Sequence, residues 1–384
     1  MDAASKSGQP MWNGHNDSGE DHAGAPRRAG EKPRDLDDVR LALVQWFETR
    51  VPGSAPAPGM LSRPVGAGGS NETILFELTA DLFDGQGRTL HNLVLRIEPG
   101  DYRLFREVDI ERQFALMRTL RSCGIKVPMP LFLEPDPGWF GHAFFIMTRA
   151  AGKVPVSSPP YNRSGFLADA TPAQRNLAWR TAVGELGRIH ALDTRPFEHL
   201  WPRGAEVGPE EDFLEQERSY HWARGGADAP FLFDVLSWLK SNRPQTVPAG
   251  LSWGDSRLGN MVFGADFNLA AVLDWEQASF GGPLRDLGWW LFFDDLYSEE
   301  IGLDRLEGLG TRGETISLWQ SASGRIAADL HWYEVYAGFQ LGVLMMRRCE
   351  LQGRAQRGAN RNNNIFNRKV AKMLGMIQPT DILN

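Results

Sequence analysis

The stretch Leu251-Ser-Trp-Gly-Asp-Ser-Arg-Leu-Gly-Asn-Met-Val-Phe263 carries the most chemical information in the chain. It supplies an acid, Asp255, and an amide, Asn260, directly before a short apolar strand candidate. A second apolar run begins at Ala271 and ends in another acid, Asp274, which a strand end would display at the mouth of a cleft. Mg²⁺ prefers oxygen ligands and is usually held by one or two carboxylates together with substrate phosphates. The pattern therefore predicts a metal–phosphate site.

The spacing Asp255-x4-Asn260, followed by Asp274, resembles the catalytic core of the protein-kinase-like fold. It is most similar to the aminoglycoside phosphotransferase and choline kinase branch, in which the motifs read His-Gly-Asp-x4-Asn and Ile/Leu-Asp-Trp-Glu. The run Gly281-Gly-Pro-Leu-Arg-Asp286-Leu also resembles that family's Gly-Asp-Pro-x-x-Asp-Leu. The strongest resemblance is to bacterial phosphotransferases fused to, or found beside, acyl-CoA dehydrogenases. Trp253 stands where the family usually has His, and its indole N–H can still donate a hydrogen bond.

The resemblance implies a role for each polar residue of these motifs. Asp255 would be the catalytic base that takes the proton of an acceptor hydroxyl. Asn260 and Asp274 would be Mg²⁺ ligands that bridge to the phosphates of ATP, and Asp286 would hold the catalytic loop. Arg257 would meet the transferring phosphate or balance charge; a solvated loop arginine is the alternative interpretation.

The resemblance also implies a nucleotide-binding part before these motifs. The Gly-rich segment 66–73 resembles the family's Gly-Gly-x-Ser-Asn-x-Thr, which makes Ser70 and Asn71 candidate nucleotide contacts; a plain hairpin turn is the alternative. Arg96 stands where the wider fold has a phosphate-binding Lys on a strand, and Glu111 is its candidate helix partner. Arginine can bind phosphate or carboxylate through two N–H groups. An ordinary exposed strand arginine is the alternative for Arg96.

The segment Phe144–Gly152 resembles the strand and hinge that join the two lobes in this family. An adenine ring would lie there, bonded to backbone groups around Met147 and Arg149. Gly152 suggests a flexible connection. His190, at the end of a predicted helix, is interpreted as a packed or capping histidine rather than a ligand.

Patterning predicts an α+β architecture, and the resemblance specifies a two-lobed protein-kinase-like fold. Residues 1–34 are rich in polar residues and glycine with almost no aliphatic side chains, and we expect a disordered tail. Residues 35–147 read as a leading helix and several strands with one inserted helix, which predicts a small nucleotide-binding lobe. Residues 148–384 are mainly helical in pattern and would form the larger catalytic and acceptor-binding lobe.

Composition limits the class of protein. The chain has 384 residues, of which 42% are hydrophobic, enough for a substantial core. The formal net charge of −7 argues against a nucleic-acid binder held by a broad basic surface. Two cysteines exclude a disulfide framework. No apolar run reaches the ~18–20 residues that span a bilayer and no secretory signal is visible, so we expect a cytoplasmic protein without a membrane partner.

The leading functional hypothesis is Mg·ATP-dependent phosphorylation of a small-molecule alcohol. The acyl-CoA dehydrogenase-associated resemblance favours a hydroxyacyl-CoA or another catabolic alcohol as the acceptor. An aminoglycoside-type antibiotic kinase and a catalytically silent nucleotide-binding module are the alternatives. A two-carboxylate glycoside hydrolase would use Asp255 and Asp274 but leaves Asn260 and the N-terminal lobe unexplained. The sequence does not distinguish ATP from GTP, and it specifies neither the acceptor nor the oligomeric state.

Overall fold

The computed structural model of the chain describes residues 34–51, 58–64, 70–83, 87, 89–101, 103–201, 208–225, 228–351 and 361–380. Of the predicted disordered tail, only Arg34 lies inside these residues. Its guanidinium donates a hydrogen bond of 2.8 Å to the carbonyl of Phe140 and forms an ion pair with Glu72. Arg34 therefore belongs to the folded part of the chain.

The first half of the described chain forms an antiparallel five-stranded sheet with the strand order β1-β2-β3-β5-β4. One helix precedes the sheet and one is inserted between its third and fourth strands, as the sequence predicts. The elements are α1 (Leu36–Arg50), β1 (Pro58–Ser62), β2 (Glu72–Phe83), β3 (Thr89–Ile97), α2 (Ile110–Ser122), β4 (Pro130–Glu134) and β5 (Phe144–Thr148).

The two faces of the sheet belong to different cores, because successive side chains of a strand point to opposite faces. On β3, Leu93 and Leu95 pack in a cluster with apolar side chains of α1. Val94 points the other way, into the large core that includes α2 and the helices of the second half. Arg96 shares the face of Val94, so the fold turns this arginine toward the second half of the molecule.

The second half of the described chain is mainly helical and contains one small two-stranded sheet, β6-β7. The last helix, α9, was not predicted from the sequence. The longer elements are α3 (Pro172–His190), α4 (Pro209–Arg224), α5 (Pro230–Ser241), β6 (Met261–Phe263), β7 (Leu269–Val272), α6 (Pro283–Leu296), α7 (Arg312–Ser323), α8 (Leu330–Leu351) and α9 (Ile365–Leu374).

Close packing requires glycine at several positions of the described chain, including 288 and 152. Gly288 of α6 lies against α8, where a Cβ atom at this position would come within 2.5 Å of the Cβ of Tyr333. Gly152 has φ +143°, and a Cβ there would lie 2.2 Å from the carbonyl oxygen of Phe263. The backbone of Lys153 also exchanges two hydrogen bonds, of 2.8 and 2.9 Å, with Phe263. The prediction that Gly152 makes a flexible connection is therefore wrong, because this segment is packed and bonded against β6.

Within the described ranges, no helix is long and apolar enough to cross a membrane.

Candidate active site

Asp255 lies in the loop before β6, and three side chains hold its carboxylate. Its Oδ1 accepts from the indole Nε1 of Trp289 and from Nε of Arg257, both at 3.0 Å, and its Oδ2 accepts from Nδ2 of Asn260 at 2.6 Å. The side chain keeps a fractional exposure of 19%. The carboxylate is thus oriented by the fold and still open to solvent. The sequence analysis did not identify Trp289 as a partner of Asp255.

The orientation of Asn260 follows from its hydrogen bonds. Its amide nitrogen donates to both the carboxylate and the backbone carbonyl of Asp255. The amide oxygen, which is the atom that can ligate a metal, therefore points away from Asp255. The backbone N–H of Leu273 donates to the carbonyl of Asn260 at 2.8 Å, so the β6–β7 hairpin sets Asn260 beside Asp274.

Asp274 follows β7 in an unusual backbone conformation, with φ 55°. A non-glycine residue in the left-handed region costs energy, and such residues cluster at functional sites. Its Oδ1 pairs with Nη1 of Arg96 at 2.8 Å, and its side chain is 27% exposed. Among the described residues no hydrogen bond or ion pair involves its Oδ2, so one oxygen remains available to a ligand.

The catalytic loop is anchored by Asp286, a fully buried residue at the start of α6. Its carboxylate accepts from the backbone N–H groups of Trp253 and Gly254, at 2.5 and 2.8 Å, and from the hydroxyl of Ser252 at 2.9 Å. Burial opposes ionisation of Asp286, but these donors and His190 hold its pKa below the usual value. The geometry matches the loop-holding role expected for Asp286.

His190, at the end of α3, also contacts Asp286. Its Nε2 lies 2.9 Å from Oδ2 of Asp286, and its Nδ1 lies 2.7 Å from the indole Nε1 of Trp319. Because an indole nitrogen can only donate, Nδ1 is the acceptor and the ring proton sits on Nε2. His190 therefore donates to Asp286 as a neutral, buried imidazole, a packed role as the sequence suggested.

Trp253, at the position where the family usually has His, is buried completely. Its indole N–H donates to the backbone carbonyls of Leu273 and Asp274, at 2.8 and 3.1 Å. These two hydrogen bonds tie the Trp253 ring to the left-handed backbone at Asp274. The substitution keeps a hydrogen-bonding connection between the loop of Asp255 and the strand that ends in Asp274.

Arg257 makes three contacts within the second half of the chain. Besides its bond to Asp255, its Nη1 donates to the hydroxyl of Ser157 at 2.9 Å, and its guanidinium lies 5.5 Å from the ring centroid of Phe293. Burial would lower the pKa of Arg257, but the charge of Asp255 outweighs it and raises that pKa. Arg257 is thus a partly exposed cation, 21% accessible, that is bonded to Asp255 and Ser157 rather than free in a loop.

Arg96 forms its ion pairs with the second half of the chain. Its Nη1 contacts Asp274 and its Nη2 contacts Glu276 at 3.4 Å, while its side chain is only 8% exposed. The expected partner, Glu111, is exposed in the first turn of α2. The predicted Arg96–Glu111 pair is thus wrong for this structure, because two nearer carboxylates occupy the guanidinium. The exposed-strand alternative for Arg96 is also wrong.

Ser70 and Asn71 are buried and contact Glu276. The carboxylate of Glu276 accepts from the Ser70 hydroxyl, at 2.5 and 2.7 Å to its two oxygens, and from Nδ2 of Asn71 at 2.6 Å. Burial and the charge of Asp274 raise the pKa of Glu276 to about 7. The sequence analysis did not identify Glu276 as a site residue; its Asp-x-Glu spacing after a strand was the available signal. Residues 66–69, which include the glycines before Ser70, lie outside the described residues.

In the segment predicted to bind adenine, the backbone N–H groups of Thr148 and Arg149 are already used in hydrogen bonds to the sheet region. Thr148 donates its backbone N–H to Met129 at 2.9 Å, and Arg149 donates to Asn92 at 2.8 Å. Met147 is inside β5, paired with Val94 on β3. Along this stretch of the described chain, the first backbone N–H groups without a protein acceptor are those of residues 150 and 151.

A cavity of about 220 Å³ opens beside Glu276, between α4, α8 and the loop before α2. Polar groups form somewhat more of its wall than apolar ones, and the apolar side chains include Phe105, Trp201 and Phe280. Each carboxylate along the wall lies within ion-pair distance of an arginine, although Arg106 serves two of them. The pairs are Glu107–Arg106, Glu215–Arg106, Glu211–Arg218, Asp212–Arg285 and Glu276–Arg96.

The polar groups of the cleft fit a phosphate-bound divalent cation. In the described part of the chain, no group of three or more His, Cys, Asp or Glu is gathered in the manner of an all-protein metal site. Mg²⁺ typically takes one or two carboxylates and completes its shell with phosphates and water. Asp274, with its unoccupied oxygen, and the amide oxygen of Asn260 suit that kind of shared coordination.

The family of the chain is established by its sequence. Residues 62–323 match the model of the phosphotransferase enzyme family, which is more than half of the chain, and the chain belongs to that family. Human acyl-CoA dehydrogenase family member 11 is 28% identical over 229 residues, covering 56% of this chain and 28% of that protein. The chain thus spans less than a third of the length of this relative.

Solved structures share the fold. A putative aminoglycoside phosphotransferase from Ralstonia eutropha superposes with a TM-score of 0.63 at 21% identity, covering 87% of this chain and 96% of that one. An amicoumacin kinase, solved in complex with AMP-PNP, Ca²⁺ and Ami, gives a TM-score of 0.50 at 14% identity, covering 84% of this chain and 90% of that one. The expected two-lobed kinase-like fold and the resemblance to this family are confirmed.

Proposed function

We propose that this chain is an ATP- and Mg²⁺-dependent kinase that phosphorylates a hydroxyl group of a small molecule. The observation that carries the proposal is the arrangement around Asp255 and Asp274: one carboxylate is held open to solvent, and the other keeps a free oxygen beside the amide of Asn260. The related amicoumacin kinase, whose structure contains AMP-PNP and Ca²⁺, supports a nucleotide and a divalent cation as the bound groups.

Asp255 is the proton acceptor in the proposed reaction. The acceptor hydroxyl oxygen forms a bond to the γ-phosphorus, the bond from that phosphorus to the β–γ bridging oxygen breaks, and ADP leaves with the electron pair. The hydroxyl proton passes to the carboxylate of Asp255. Trp289, Asn260 and Arg257 hold that carboxylate in place, so little reorganisation is needed during transfer.

The remaining residues bind and orient. Asn260 and Asp274 would hold Mg²⁺, which would neutralise the charge of the phosphates. Arg96 would bind the phosphates, with Ser70 and Asn71 at the edge of the nucleotide cleft. For the adenine ring, backbone groups past Met147 and Arg149 are the better candidates, because the N–H groups of residues 148 and 149 are already used within the sheet. Glu111, exposed on α2, is given no role in the proposed reaction.

The acceptor is expected to enter through the cavity beside Glu276. Polycationic substrates such as aminoglycosides are favoured by unpaired acidic groups, whereas the carboxylates of this wall are paired with arginine. The apolar side chains of the wall suit an acceptor with a hydrocarbon portion. The paired carboxylates and the apolar side chains together favour a hydroxyacyl-CoA or another catabolic alcohol as the acceptor. An aminoglycoside is the second candidate.

The nucleotide site can be tested without knowing the acceptor. We expect Mg·ATP to raise the melting temperature of the wild type by several degrees, since ligand at ~100-fold above Kd adds about 2.7 kcal/mol. Asp274→Ala should remove the Mg-dependent rise. Asp266→Ala, at an exposed aspartate on the same hairpin, is the matched control and should keep it. No rise in the wild type at millimolar nucleotide would contradict the proposal.

The acceptor class requires a separate assay of ADP release. Hydroxyacyl-CoA thioesters and simple hydroxy acids would be compared with a panel of aminoglycosides at equal concentration. Turnover with the aminoglycosides alone would reverse the preference stated above. Binding of Mg·ATP without turnover of any alcohol would instead support the catalytically silent alternative.

A further inference from the structure

Glu276 joins the two lobes across the nucleotide cleft. Its carboxylate receives hydrogen bonds from Ser70, Asn71 and Arg96, all from the sheet half of the molecule. Ser70 is 206 positions away in the chain, and Ser70 and Asn71 are each 4% exposed. Burying a carboxylate is costly unless donors compensate it. Here three donors converge on one side chain, and we call this group of four residues the Glu276 clasp.

Both oxygens of Glu276 are occupied by protein donors. Oε1 accepts from Ser70, and Oε2 lies within 3.4 Å of donors from Ser70, Asn71 and Arg96. A metal ion at Glu276 would have to displace these donors. Asp274, two residues earlier, has only one oxygen engaged. Asp274 therefore keeps an oxygen for a ligand, whereas both oxygens of Glu276 are used by protein donors.

The clasp leaves specific polar atoms without a protein partner. Nε of Arg96 and Oδ1 of Asn71 are both buried and make no hydrogen bond, although the other polar atoms of these side chains are held by Glu276 and Asp274. Buried polar atoms without a protein partner are otherwise satisfied by water, an ion or a ligand. A phosphate oxygen is the kind of acceptor that an arginine N–H would take.

We propose that Glu276 is a positioning residue for nucleotide binding rather than a metal ligand. It fixes Ser70, Asn71 and the Arg96 guanidinium in the geometry that meets the nucleotide phosphates, and it holds the start of β2 against the second lobe. The inference rests on the proposed kinase function but adds a role that is independent of the cation. Its removal weakens nucleotide binding whether or not Mg²⁺ is present.

The first measurement tests the clasp without any ligand. Urea unfolding of wild type, Ser70→Ala, Glu276→Gln and the double variant forms a double-mutant cycle. Because the side chains contact each other, we expect the two substitutions to be non-additive by about threefold or more in the folding equilibrium constant. Ser70→Ala keeps Glu276 and its other donors, so it provides a usable variant if Glu276→Gln folds poorly. Additive effects would overturn the proposal.

The second measurement separates positioning from metal binding. Titration calorimetry with ADP would be run in Mg²⁺ and in EDTA. Glu276→Gln and Ser70→Ala should each weaken ADP binding by a factor that is the same in Mg²⁺ and in EDTA. For Glu276→Gln we expect this factor to be about tenfold. Asn260→Ala, at a proposed Mg²⁺ ligand that bonds Asp255 rather than Arg96, is the comparison and should lose affinity only in Mg²⁺. A loss for Glu276→Gln that is confined to Mg²⁺ would identify Glu276 as a metal ligand and overturn the proposal.

The two proposals fail in different ways. If the wild type binds no nucleotide under either condition while the cycle shows coupling, the kinase function is wrong and the clasp is only a structural contact. If the wild type binds Mg·ADP but Glu276→Gln binds it equally well, the kinase function stands and the positioning role of Glu276 is rejected.

Discussion

At the scale of the residue, Asp255 offers the sharpest test of the proposed chemistry. Asp255→Asn keeps the size of the side chain but removes the proton acceptor. The new amide nitrogen would face the amide nitrogen of Asn260, which donates to Asp255 in the wild type. General-base catalysis typically contributes about 10²–10⁴-fold. We expect kcat for ADP release to fall by that order while Mg·ADP affinity, measured by calorimetry, stays within about threefold. Full activity in the variant would reject Asp255 as the base.

His190 is a second residue whose role is defined by its contacts. His190→Ala would leave the indole of Trp319 without an acceptor and remove one donor from the buried Asp286. Each orphaned buried group costs roughly 1–3 kcal/mol, so we expect the free energy of unfolding in urea to fall by about 2 kcal/mol or more. Trp319→Phe should cost less, because His190 can still donate to Asp286. His199→Ala, at an exposed histidine, is the control and should be near neutral.

At the scale of the element, α1 is attached to the sheet through a buried acid. Glu134, at the end of β4, accepts from the indole of Trp46 at 3.0 Å and from Nε of Arg50 at 2.8 Å. Burial opposes the charge, but these donors hold the pKa of Glu134 below its usual value. A carboxyl whose pKa is lowered on folding adds stability above its unfolded pKa, and this stability is lost as the pH falls through the folded value.

The pH dependence of a Glu134 variant checks this attachment. We expect Glu134→Gln to lower the free energy of unfolding by about 1–3 kcal/mol at pH 7, where the acid is charged in both states. The gap between variant and wild type should shrink as the pH falls below the usual glutamate pKa of about 4.3. Glu48→Gln, exposed on α1, is the matched control and should show no such trend. A gap that is constant with pH would contradict the assignment.

At the scale of the whole molecule, the loop before α2 bridges the sheet and the helical lobe. Nε of Arg106 donates to Glu215 on α4 at 2.7 Å, and Nε of Arg347 on α8 donates to the carbonyl of Arg103 at 2.9 Å. Leu104 and Phe105, between these contacts, line the proposed acceptor cavity. The position of one loop therefore sets the shape of the cavity.

Hydrogen exchange can test this connection between the lobes. Arg106→Gln removes the ion pair with Glu215 but keeps much of the side-chain length. We expect faster exchange of backbone amides in residues 103–109 and in the first turns of α4, with little change in α5. Arg195→Gln breaks an exposed ion pair elsewhere and serves as the control. Unchanged exchange at residues 103–109 would show that the ion pair does not hold the loop.

Motif order and local patterning predicted much of the molecule. The spacing from Asp255 to Asn260 and the apolar strand that ends in Asp274 are local features, and a short hairpin brings them together wherever it forms. Local patterning likewise predicted a strand-rich first half and a helical second half. The pairing of Arg96 with Glu111 was wrong, because the sequence did not show that Glu111 would be exposed.

What the sequence determined by itself was the family, the order of the lobes and the identity of the acids, since these depend on residues close together in the chain. Tertiary structure alone decided which partners those acids have. Arg96 meets Asp274 across 178 positions and Ser70 meets Glu276 across 206 positions. No local periodicity encodes such contacts, because they depend on how one sheet face packs against a distant hairpin. The charge balance of the cavity has the same origin, since its acids and arginines come from separate elements that only the folded chain brings together.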